Sequence, residues 1–147
     1  MRPKVASVVI RLCAVLVGAT LSADEKPTAA YQKAMKDLGV ASQALRAEVK
    51  AIESAGAYPD YTPLDKHATV LRAALKTTLA YWNEKRVDEA VKVTEAALKG
   101  VDELEKAAQD KSYDSLVAAS TAIGGTCAAC HKAHRVQTTD GTYEIKY

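Results

Sequence analysis

Tyr31, Met35, Leu38, Ser42, Leu45, Val49 and Ile52 recur at alternating intervals of four and three, a seam that runs for about three heptads. Such spacing demands a helix with one narrow apolar stripe, and a stripe of that length is buried only against other helices. The rest of the chain repeats the device. Gly56, Pro59 and Pro63 interrupt the first seam and mark a loop. Thr62-Pro63-Leu64-Asp65 then reads as a helix start, with Thr62 as N-cap, proline at the first helical position and Asp65 as the reciprocal partner. The second seam is Leu64, Ala68, Leu71, Leu75, Thr78 and Trp82. Extending it further would bury Lys85 and Glu89, whereas a restart gives Val87, Ala90, Thr94, Ala97, Val101, Leu104 and Ala108, so the spacing predicts a turn at 83–86. A fourth helix follows residues 110–112 with a seam of Tyr113, Leu116, Ser120, Ile123, Cys127 and then Cys130 or His131. Short connections between helices of similar length predict an all-α fold, an antiparallel up-down-up-down four-helix bundle.

The ends of the chain read differently. Residues 1–23 have a basic start (Arg2, Lys4), an apolar run from Leu12 to Leu21 too short to span a bilayer, and Leu21-Ser22-Ala23 before the charged Asp24-Glu25-Lys26. They are expected to be a signal peptide, the alternative being an uncleaved anchor. Its removal takes three (Arg2, Lys4, Arg11) of the 20 basic residues and none of the 18 acidic ones, turning the net charge from +2 to −1. The basic balance therefore belongs to the leader. The remainder, a bundle over 24–135, intersperses both signs, offers no basic face for nucleic acid or a membrane surface, and holds no membrane span. Residues 136–147 form an extension in which Asp140-Gly141 is a turn signal and Tyr143, Ile145 and Tyr147 alternate, so it either packs back as an extended segment or is disordered.

Chemistry concentrates in Cys127-Ala128-Ala129-Cys130-His131. Two thiols three positions apart lie on one face of a helical turn, where they can add to the two vinyl groups of one porphyrin while the adjacent imidazole reaches the iron. A CxxC pair also serves as a redox dithiol, half of a zinc site or a structural disulfide. Zinc needs a second ligand pair, and outside the motif the chain has only Cys13, His67 and His134. A thioredoxin-like dithiol follows a strand in a βαβ pattern, which is missing from the sequence. Covalent haem c, one per chain, is the expectation, with a helical interaction module closed by a Cys127–Cys130 disulfide as the alternative. The seams are lean, with no phenylalanine in the chain, so an attached porphyrin would add much to the stability. Gly124 and Gly125 precede the cysteines, where a missing side chain would let a porphyrin lie close to the backbone.

Rise per residue converts position into height in an antiparallel bundle. Measured from the end holding the loop at 55–63, Met35, Trp82, Ala90 and His131 all lie about 27 to 28 Å down their helices. Met35 is thus an iron-ligating side chain at the height of His131 on another helix. A thioether opposite an imidazole suits haem iron and raises its potential, and plain packing is the alternative role. Trp82, Leu38, Val87 and Val91 are candidate pocket walls. His67, near the opposite end, reads as an exposed or capping histidine, and His134 as a solvent-edge residue near a propionate.

A methionine on the first helix, four helices in all, and Gly125-Thr126-Cys127-Ala128-Ala129-Cys130-His131-Lys132-Ala133-His134-Arg135 on the last resemble the class II c-type cytochromes, the cytochrome c prime family. The resemblance covers roughly 28–135. It implies Cys127 and Cys130 as thioether sites, His131 as proximal ligand and Arg135 as a positive charge beside the haem propionates. Tyr31-Gln32-Lys33-Ala34-Met35-Lys36 resembles the segment carrying the distal residue, a ligating methionine in the low-spin branch and a non-ligating one in the high-spin branch. It further implies periplasmic location, redox partner proteins and a homodimer. No other catalytic constellation accompanies the motif, so the expectation is a periplasmic electron carrier with His131 and Met35 on the iron, not an enzyme. The alternative is a five-coordinate protein binding nitric oxide or carbon monoxide.

Overall fold

A computed structural model describes residues 26–147, so the expected signal peptide lies outside the described residues. Four helices account for most of it: α1 (Ala29–Ser54), α2 (Pro63–Lys85), α3 (Asp88–Gln109) and α4 (Tyr113–His134), followed by β1 (Arg135–Gln137) and β2 (Tyr143–Ile145). The helices pack against one another in chain order, and α1 meets α4 far less extensively than the other neighbours meet. No described helix is long and apolar enough to cross a membrane.

The seams become the core. Every member of the second seam, Leu64, Ala68, Leu71, Leu75, Thr78 and Trp82, is buried, as is every member of the third except the half-buried Val87. Thr78 and Thr94 are tolerated there because each hydroxyl donates to the carbonyl four residues back, on Ala74 at 3.0 Å and Ala90 at 2.7 Å. Gly100 lets α3 and α4 approach closely, since a Cβ there would lie 2.9 Å from Ile123 Cγ1. Thr28 caps α1 by accepting from the Tyr31 amide at 3.2 Å, and Ser112 caps α4 through the Ser115 amide.

The second helix starts at Pro63 as expected, but one boundary and one capping bond differ from the sequence reading. The turn falls at Arg86 and Val87 rather than at 83–86: α2 continues through Lys85, and Arg86 ends it in the left-handed region (φ 57°). Lys85 is accommodated because the residue is only half-buried and its ammonium sits 5.7 Å and 5.5 Å from the Tyr81 and Tyr147 ring centroids. Thr62 makes no capping bond; its amide and hydroxyl both donate to Asp60 Oδ1 instead, and these bonds hold the Asp60 carboxyl below its ordinary range. The extension resolves to packing back. β1 and β2 pair antiparallel, Arg135 opposite Ile145 and Gln137 opposite Tyr143, around a turn in which Asp140 accepts from the Thr142 amide at 3.1 Å and from the Thr142 hydroxyl at 2.8 Å.

Candidate functional site

The apolar interior divides into two clusters, and the cysteine motif straddles them. Cys127 packs on the main core, Cys130 on a second cluster of Tyr31, Tyr81, Trp82, Ala90 and Ile145, and Met35 touches both. Both thiols are free and half-buried, not joined in a disulfide.

Two cavities open along the loosely packed α1 and α4. The smaller, about 210 Å³, runs inward past Leu38, Leu45, Leu75, Ala97 and Ile123. The larger, about 660 Å³, lies between the start of α1, the end of α4 and the hairpin. Met35, Gly39, Cys130 and His131 line both cavities, while Cys127 lines only the smaller. Added Cβ atoms at Gly39 and Gly124 would meet nothing within 4 Å, so these glycines border open space. Open space thus lies between α1 and α4 beside Cys130, with Met35 and His131 at its borders. The donor set fits haem: a thiol pair for covalent attachment, and an imidazole and a thioether as iron ligands. Among the described residues no three Cys, His, Asp or Glu side chains gather into a metal-ligand cluster, and haem iron needs only axial ligands from the chain.

Electrostatics disfavour the thiolate at this CxxC. Burial raises the Cys127 thiol against the opposing pull of Arg46, and burial, Cys127 and Glu89 push Cys130 up to about 11. The motif sits near the C-terminal end of α4, where the helix dipole disfavours thiolate, whereas reactive dithiols have lowered pKa values. His131 is exposed overall, yet the withdrawal of part of its ring from water, with Arg135 one turn on, holds its imidazole below the usual value.

The remaining expected residues are placed as follows. Arg135 lines the larger cavity with its guanidinium carbon 3.4 Å from the Tyr143 ring centroid. Trp82 is fully buried and lines neither cavity; it stands behind Tyr31 at 5.7 Å and His134 at 4.9 Å between ring centroids. Leu38 is a wall of the smaller cavity, whereas Val87 and Val91 pack on the aromatic cluster. His134 is not at the solvent edge. It is 8% exposed, with Nδ1 3.0 Å from the Lys146 carbonyl oxygen, because the folded tail covers it. His67 is half-buried, with Nε2 3.9 Å from Glu48 Oε1. Arg46, Val93 and Thr126 line the smaller cavity, and residues 142–145 the larger; sequence reasoning missed all of these. Arg46 lies one turn beyond Ser42, a spacing that could have flagged it, but nothing local flags the tail residues. No family model, curated protein or solved structure matches the chain.

Proposed function

We propose that this chain is an exported c-type cytochrome of the cytochrome c prime kind, a periplasmic electron carrier for redox partner proteins, built as an antiparallel up-down-up-down bundle. Cys127 and Cys130 would hold one haem c covalently, and His131 and Met35 would supply the imidazole and thioether to its iron. The observation that carries the reading is the convergence of Met35, Cys130 and His131 on the same two cavities, with Cys127 one turn away on the smaller.

Bound haem supplies a one-electron iron couple. The residues of the chain set its conditions. Cys127 and Cys130 would fix the ring to α4 by thioether bonds, so that it is retained between electron transfers. His131 and Met35 form the imidazole and thioether pair that raises the reduction potential. Leu38, Leu45, Leu75 and Ile123 keep water from the inner side, and Arg135 supplies a positive charge for the propionates at the outer one.

A second reading has its own support. The smaller cavity extends beyond Met35 to Leu45 and Ala97, room for a small neutral gas if the sulfur leaves the iron free. The ferric absorption spectrum decides between them. The carrier predicts a low-spin spectrum with a weak far-red methionine-to-iron band that is lost in Met35→Ala. A high-spin spectrum unaltered by that substitution would favour the gas-binding protein and refute the carrier.

A further inference from the structure

Resting on the haem reading, we infer that the C-terminal hairpin is the outer wall of the cofactor site, closing it beside Cys130 through Thr142, Tyr143, Glu144 and Ile145. A hairpin of three-residue strands packed beyond the last helix would fray unless tied down. It is tied at three places. Ile145 is 5% exposed within the aromatic cluster. Lys146 pairs with His134, its amide donating to the His134 carbonyl at 3.1 Å and its carbonyl oxygen lying 3.0 Å from His134 Nδ1. Tyr147 reaches across to α2, hydroxyl to hydroxyl with Tyr81 at 2.6 Å.

So held, the hairpin turns residues 142–145 toward the larger cavity, opposite Tyr31, Gln32 and Met35 of α1. Arg135 stacked on Tyr143 fixes the rim between β1 and β2. Without the hairpin the larger cavity would be a cleft walled by α1, the Lys26-Pro27 segment before it and α4, open at Cys130 and His131. The smaller cavity is lined by helices only, so Cys127 is sheltered independently of the tail. The two cysteines therefore report separately on the hairpin.

The test uses Ile145→Asp, which unseats β2, and the milder Tyr147→Phe, which removes only the phenol contact. In the reduced, haem-free chain, iodoacetamide labelling followed by mass spectrometry should show Cys130 modified about tenfold faster in Ile145→Asp and about two- to threefold faster in Tyr147→Phe, with Cys127 changed less than about twofold. Far-UV circular dichroism confirms that the helices persist; should Ile145→Asp lose them, Tyr147→Phe alone is read. In the haem-loaded protein the same variants should lower the reduction potential, because water at the opened edge favours the ferric charge. Cys130 labelling unchanged with the helices intact overturns the proposal, as does a potential unmoved by either variant. A wild-type chain that acquires no haem overturns the haem reading itself, and the labelling arm, run without haem, tells that failure from the hairpin's own.

Discussion

Gly100 and Ile123 fix how α4 sits on α3, and Ile123 is one turn before Cys127, so this contact sets where the cysteines face. Gly100→Ala would gain about 1 kcal/mol in helix propensity but forces a methyl against Cγ1 of the β-branched Ile123, and overpacking costs about 1 to 3 kcal/mol. The rigid neighbour decides the sign: urea unfolding should show a net loss of about 1 kcal/mol, and a stabilised variant would mean the contact yields freely. At Cys130 the thiol, raised to about 11, should alkylate in the reduced haem-free chain at a rate that keeps climbing above pH 9. A plateau near pH 7 would restore the redox-dithiol alternative. Cys127, Cys130, His131 and Met35 were legible because their signals are chemical type and spacing. His134 was not, since its burial comes from residues twelve positions on.

At the level of elements, the seams located all four helices, and in the structure Thr28 and Ser112 cap the starts of the first and fourth. Thr28→Ala should cost about 1 kcal/mol in thermal or urea unfolding, the worth of an N-cap, and a neutral result would contradict the observed cap. The turn between α2 and α3 was misjudged by the seam rule because that rule treats a lysine as unburiable, whereas Lys85 is half-buried with its ammonium beside two aromatic rings. The Asp140-Gly141 turn signal was legible, but the pairing partner of β2 was not, since a three-residue strand carries too little pattern to name it. Asp140 gives this hairpin a pH dependence. Bonds from Thr138 and Thr142 hold its carboxyl down at about 2, against an ordinary value of 3.8. A depressed folded pKa means the contribution is present above the ordinary value and is lost as pH falls through 4 toward 2. The Thr142 amide resonance should shift across that window, and Asp140→Asn should abolish the shift; an amide indifferent to acid would contradict the role.

The whole molecule is a helical bundle whose weakest seam, between α1 and α4, is where the cavities, the two free thiols and Met35 meet. Three close helix contacts hold the fold while the fourth leaves room, an arrangement that suits a bundle completed by a large apolar group. On that account Cys127→Ser and Cys130→Ser together should weaken haem retention and lower the unfolding temperature of protein expressed with haem-attachment machinery, while leaving the haem-free chain about as stable as before. The central claim is the covalent bond between the chain and haem. Intact-mass spectrometry of the purified, acid-denatured protein tests it most directly: a single chain mass increased by one haem, reduced to the bare chain by the double cysteine substitution, is the predicted result. A wild-type protein found at the bare chain mass after expression with competent attachment machinery would contradict it.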